Sequence, residues 1–220
     1  MKYLKLNTKA QTLVSQSDID PDMAVRLLIA GNTRFVENRQ AGRNLMTQMV
    51  NTSKGQYPFA TVLSCIDSRV SSELIFDQGI GDIFSVRIAG NFINSDILGS
   101  MEFACKLAGT KVILVLGHTS CGAVKGACDN AKLGNLTGML DKIKPAVNQV
   151  SEPVDPSKRN SKNIEFVNTV AKKNVELSIE RIMAESPVLA EMKSSGEIDI
   201  VGGMYDISTG KVEFYSTSEA

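Results

Sequence analysis

Histidine is almost absent from this chain: 220 residues include one, His118. Any step that needs an imidazole, as proton carrier or as metal ligand, has to use it. Net charge is absent too, because 24 basic side chains balance 24 acidic ones. That removes the electrostatic case for nucleic acid or an anionic membrane surface as partner and leaves a small molecule. No apolar run approaches the roughly 20 residues that span a bilayer. Met1 to Thr8 carries basic residues without an uninterrupted apolar stretch, so no secretory signal is expected. With four cysteines and no such signal, the expected setting is a reducing cytoplasm with no disulfide formed. The length suits one α/β domain over residues 1–220, with residues 1–19 a weakly patterned arm that packs on a partner subunit or frays.

What the chain does have is two short motifs rich in metal-binding groups. Cys65-Ile66-Asp67-Ser68-Arg69 follows the apolar run Phe59 to Leu63, and His118-Thr119-Ser120-Cys121 follows Val112 to Leu116. Runs this short and this apolar suit strands buried on both faces. In an open parallel sheet both motifs then lie past the carboxyl ends of strands, where such sheets bind ligands. Singly, each cysteine and the histidine read as ordinary core residues. Together, two thiolates and one imidazole make a three-ligand set of the kind catalytic zinc uses, with a fourth tetrahedral position for water. Asp67 remains as an oxygen ligand for that position. Cys105 and Cys128 do not obviously supply a fourth ligand, since one lies in a helical apolar pattern and the other falls about two helical turns beyond Cys121.

At these residues the chain resembles the beta-class carbonic anhydrases, whose signatures are Cys-x-Asp-x-Arg and His-x-x-Cys. The similarity runs from Gly31-Asn32-Thr33-Arg34-Phe35 through Val86-Arg87-Ile88-Ala89-Gly90-Asn91 to the last strand. It implies reversible hydration of carbon dioxide to bicarbonate and a proton by zinc-bound hydroxide. It implies Cys65, His118 and Cys121 as ligands of Zn2+, and Asp67 with Arg69 as a catalytic carboxylate-guanidinium pair. It also implies a homo-oligomer built from dimers, with zinc sites near the dimer interface. Gln56, nine residues before Cys65, matches a substrate-binding glutamine of the plant-like branch. Ile88, Ala89 and Phe103 depart from the asparagine, valine and tyrosine common in the family. Because tryptophan is absent, the tryptophan-containing bicarbonate site of another branch cannot be complete.

The residues add expectations of their own. Phe84 and Phe103 offer apolar walls for a linear gas, Ala89 lines the pocket, and Gly122 lets the backbone approach a ligand closely. The resemblance further implies that Gln56 donates to a substrate oxygen as charge develops there. Three other readings use the same residues: hydrolysis of carbonyl sulfide or carbon disulfide, a non-catalytic structural zinc site, and thiol redox chemistry. The last lacks the adjacent Cys-x-x-Cys spacing.

The expected architecture is α/β: a central, mainly parallel sheet flanked by helices, with an N-terminal helical arm and a C-terminal β-hairpin. Asp20-Pro21 announces a helix with Ala24, Leu27, Leu28, Gly31 and Phe35 facing the core. Residues 41–57 read as a polar connection, Ser71 to Ile75 as a helix, and Ile83 to Arg87 as the second strand. Asp96 opens a helix that Gly109 ends, and Cys121-Gly122-Ala123 starts the next. Residues 136–150 read as one helix and Asn163 to Ala184 as a long amphipathic one. Ile198 to Val201 and Lys211 to Tyr215 form the terminal hairpin around Ser208-Thr209-Gly210.

Overall fold

A five-stranded sheet carries the chain, in the order β2-β1-β3-β4-β5. In the computed structural model, which describes residues 8–216, the strands are β1 (Ala60–Ser64), β2 (Ile83–Arg87), β3 (Val112–His118), β4 (Asp199–Tyr205) and β5 (Val212–Ser216). The first four are parallel to their neighbours, and β5 closes the sheet antiparallel to β4 as the expected terminal hairpin. Every residue of β1 and β3 is buried, so both faces of the central strands are covered. Alternation does the sorting. Leu114 and Leu116 face a core shared with Leu28, Phe59 and Phe76, while Ile113 and Val115 face Val175, Ile179 and Leu189.

The helices in chain order are α1 (Leu13–Ser17), α2 (Pro21–Val36), α3 (Leu45–Thr52), α4 (Ser72–Ile75), α5 (Ser95–Glu102), α6 (Gly122–Cys128), α7 (Gly134–Asp141), α8 (Lys144–Gln149), α9 (Ile164–Glu185) and α10 (Pro187–Ser194). Helix α2 starts as the sequence predicts, with Asp20 accepting from Met23 N at 2.6 Å and Pro21 in the first turn. Gly31 is required there because a Cβ would fall 1.8 Å from the Phe76 carbonyl oxygen. Helix α5 continues as a π-helical turn, Phe103–Leu107, before Gly109 ends it at a φ of 80°.

Two expectations are corrected, and the arm is anchored in part on its own chain: Gln16 is buried and donates to the carbonyls of Pro58 at 2.6 Å and Ala108 at 2.8 Å. Residues 1–7 lie outside the described residues. The connection over 41–57 contains α3, capped by Asn44 through Thr47 N at 2.9 Å. Its pattern misleads because Leu45, Met46, Met49 and Val50 face outward while Gln48 is the buried residue. The single helix over 136–150 is two, since Pro145 has no N–H to continue an intrahelical ladder and sits instead in the first turn of α8. Helix α10 was not predicted, although Ser186 caps it through Leu189 N at 3.2 Å and Pro187 opens it.

Candidate metal centre

Strand order makes the site. β1 and β3 are adjacent and parallel, with Ser64 level with Leu116, so the residue that leaves β1, Cys65, emerges beside His118 at the end of β3. Cys121 then returns to them because Ser120 turns the chain in a left-handed conformation, φ 57°, and Cys121 caps the start of α6. All three side chains are buried. Their ligand atoms lie within 4.8 Å of one another, and the sulfurs of Cys65 and Cys121 are 4.0 Å apart.

The fit to a metal ion rests on His118. Its Nδ1 lies 3.0 Å from the Thr119 carbonyl oxygen, which can only accept, so Nδ1 carries the proton and Nε2 presents a lone pair. Nε2 is fully buried with no partner, an expensive arrangement for a polar atom unless something binds it. Two sulfurs on a tetrahedral zinc, at about 2.3 Å each, stand about 3.8 Å apart, close to the spacing found here. A borderline-soft cation suits this donor set of two sulfurs and one imidazole nitrogen.

The thiols show the same need. Cys65 is held well below its ordinary pKa by a hydrogen bond from Cys121, against burial, with help from His118 and from the N–H groups of Gly90 and Asp67. Cys121 is pushed far up by the bond it gives to Cys65, by burial and by the charge on Cys65, although the free N–H groups of Val124 and Ala123 at the start of α6 pull the other way. Charge on one sulfur opposes charge on the other. A dication between them lets both ionise. Cys105 and Cys128, by contrast, are each pushed up to about 11, chiefly by burial. All four cysteines are free, as expected.

Asp67 and Arg69 meet beside this centre. Arg69 donates from Nε to Oδ1 and from Nη2 to Oδ2, and Asp67 Oδ2 stands 4.0 Å from His118 Nε2. The Arg69 side chain holds the Asp67 carboxyl well below the usual carboxylate range, burial opposing it. A cavity of about 250 Å³ opens here, bounded by Cys65, Asp67, Ala89, Gly122, Met139 and Leu140. Ala89 and Gly122 therefore line the cavity beside Cys65 and Asp67.

Gln56, Phe84 and Phe103 do not reach this cavity within one chain. Gln56 is exposed and precedes the amino end of β1, whereas Cys65 follows its carboxyl end, and five strand residues alone span about 16 Å. Phe84 and Phe103 pack edge to face, ring centroids 6.3 Å apart, along a separate groove of about 760 Å³. One contributor escaped the sequence reading. Arg87 donates to the Cys65 carbonyl at 3.0 Å and to the Asp67 carbonyl at 2.7 Å, pinning the loop that carries both residues. An arginine closing a strand next to the metal loop was the available signal.

The chain is similar to known proteins in sequence and in fold. Residues 60–212 match the carbonic anhydrase family profile. Carbonic anhydrase 2 of Mycobacterium tuberculosis is 36% identical over 193 residues, covering 87% of this chain and 91% of that protein. The crystal structure of the b-carbonic anhydrase CafA of Aspergillus fumigatus superposes with a TM-score of 0.69 at 27% identity, covering 78% of this chain and 82% of the other. Two tetrameric beta-carbonic anhydrases of Sordaria macrospora are similar in structure, with a TM-score of 0.69, 26% identity, and coverage of 78% and 87%. With both signature motifs joined at one buried centre on the matching fold, the chain belongs to the beta-class carbonic anhydrase family.

Proposed function

We propose that the protein interconverts carbon dioxide and bicarbonate at a zinc ion held by Cys65 Sγ, His118 Nε2 and Cys121 Sγ. The observation that carries this reading is the orphaned, buried Nε2 of His118 facing two sulfurs beside the Asp67–Arg69 pair. Zinc bound there supplies Lewis acidity that makes hydroxide available from water near neutral pH. The chain's residues supply orientation. Arg69 keeps Asp67 ionised, and the Asp67 carboxylate accepts a hydrogen bond from the attacking oxygen, leaving that oxygen's lone pair directed at carbon. Ala89, Met139 and Leu140 give the cavity an apolar wall suited to a linear, uncharged gas. Overall, water adds across one C=O bond of carbon dioxide, and bicarbonate and a proton leave.

The active unit in this reading is a homo-oligomer built from dimers, in which Gln56, Phe84 and Phe103 complete a neighbour's cavity. The exposure of Phe103 and Gln56, the groove beside Phe84 and the tetrameric Sordaria relatives support it. Gln56 supports a reading of the chain as a member of the plant-like branch. The demand that Cys65 and Cys121 stay reduced supports a cytoplasmic setting. Among the described residues no helix is long and apolar enough to cross a membrane.

Stopped-flow carbon dioxide hydration run beside zinc analysis tests the proposal. Stoichiometric zinc with turnover rising toward alkaline pH is expected. A zinc-loaded protein inert between about pH 7 and 9 would reduce the site to a structural one. Faster turnover of carbonyl sulfide or carbon disulfide than of carbon dioxide would reassign the substrate.

A further inference from the structure

Helix α9 runs past both halves of the centre and touches each through an asparagine. Asn174 is buried and donates from Nδ2 to the Gly90 carbonyl at 2.8 Å. The Gly90 N–H in turn donates to Cys65 Sγ at 3.3 Å. One helical turn on, Ser178 Oγ donates to the next carbonyl of that loop, Asn91 O, at 3.3 Å. Toward the other end of α9, Asn168 Oδ1 accepts from the Ser120 N–H at 2.8 Å. Ser120 is the residue that turns the chain between His118 and Cys121.

The backbone is left-handed at both contact points, which strains Ser120 and is open to Gly90 only because it is a glycine. Ser120 holds a φ of 57° and Gly90 one of 82°, in the left-handed region that residues with a Cβ seldom enter. At Gly90 a Cβ would also come within 2.4 Å of Ile143 Cδ1. The helix that makes both contacts is well anchored, because Val175 and Ile179 are buried in the core with Ile113 and Val115 of β3. It donates no side chain to the ligand set.

From this arrangement we infer that Asn174 and Asn168 are positioning residues, through which α9 holds the Cys65 loop and the His118–Cys121 turn at the spacing a metal ion requires. The inference rests on the reading of Cys65, His118 and Cys121 as ligands. Its physical content is preorganisation: partners one step removed from the ligands fix their orientation, and their loss typically weakens metal binding by about tenfold to a hundredfold. The two asparagines use opposite ends of the same amide. Asn174 gives an N–H to a carbonyl, and Asn168 offers an oxygen to an N–H. Aspartate keeps the oxygen and loses the N–H, so one substitution has opposite consequences at the two positions.

Zinc-loaded wild type, Asn174→Asp, Asn168→Asp and Asn168→Ala are mixed with excess chromogenic chelator, and the rate of zinc release is recorded. The thiolate absorption band of the cobalt-substituted proteins is read in parallel. Asn174→Asp and Asn168→Ala are expected to release zinc about tenfold faster and to shift the cobalt band. Asn168→Asp is expected to match wild type in both. Release at the wild-type rate from Asn174→Asp and Asn168→Ala overturns the inference alone, as does an Asn168→Asp protein as fast as Asn168→Ala. If Asn174→Asp does not fold, the two variants at 168 decide by the same comparison. A wild-type protein that takes up no zinc overturns the metal reading itself, and the inference with it.

Discussion

Arg69 clasps Asp67 through both carboxylate oxygens, with Nε 2.9 Å from Oδ1 and Nη2 2.7 Å from Oδ2. A third bond, from the Arg69 N–H to Oδ1 at 3.0 Å, closes the loop on itself. In this arrangement the carboxylate is turned to Arg69, and His118, Cys65 and Cys121 form the metal-binding group without it. Paired charges of this planar, two-pronged geometry are both strong and directional.

Asp67→Asn and Arg69→Ala should each lower hydration turnover by about tenfold to a thousandfold, the scale of a misplaced catalytic group. Zinc content should stay near wild type, because neither side chain belongs to the ligand group. Stopped-flow turnover close to wild type in both variants would leave the pair as a loop salt bridge.

Cys121→Ser should abolish stoichiometric zinc and, with it, activity. The substitution leaves the backbone cap of α6 in place, so circular dichroism should remain that of the wild type. Unchanged zinc by atomic absorption, with unchanged turnover, would remove Cys121 from the ligand set.

With His118 committed to the metal, no second histidine exists to carry the proton to solvent. Tyr205, paired with His118 across β3 and β4, is no substitute, since burial raises its pKa. Turnover near neutral pH should therefore rise with the concentration of a permeant buffer base, while kcat/KM changes little. Turnover that ignores buffer would reveal an internal relay.

If neighbours complete each other's cavities, Gln56→Ala and Cys121→Ser chains should rescue one another when coexpressed. Each is expected to be weak or inactive alone. In a hybrid dimer the Gln56→Ala chain keeps its metal ligands and borrows Gln56 from its partner. Mixed protein no more active than the Gln56→Ala chain alone would count against a shared site.

Away from the centre, Asp82 gives stability a pH dependence. Burial raises its pKa, with the Gly79 N–H and Arg43 opposing and Asp77 adding to the rise. A carboxyl whose folded pKa exceeds its unfolded value of about 3.9 stabilises fully only below that value, and the contribution is lost as pH rises through the folded pKa. Asp82→Asn keeps an oxygen for the Gly79 N–H, which Asp82 Oδ2 now accepts at 2.7 Å. The Tm of the variant relative to wild type should therefore climb as pH goes from about 4 to about 7. A constant or falling difference would show that Asp82 is not charged at a cost.

The sheet and its ligands were legible because the signals are local. Val112 to Leu116 is apolar without interruption, as a strand covered on both faces has to be, and the strand built there is buried throughout. Asp20-Pro21 marks its own helix start, because capping depends on a few neighbouring residues. Local signals mislead where a pattern has no core to face. Helix α3 turns its apolar side outward, so its stretch of sequence reads as a polar connection. Pro145 split one expected helix into two.

The sequence by itself determined which residues could hold a metal, since donor type is a property of the side chain and His118 has no rival in the chain. Tertiary structure alone decided that they meet. Cys65 and His118 converge only because β1 lies beside β3 instead of between β2 and an edge. It likewise decided that Asn168 and Asn174 reach across from α9 to loops many residues earlier. Such contacts depend on strand order and on the packing of distant segments, which a periodicity of two or of about 3.6 residues does not encode.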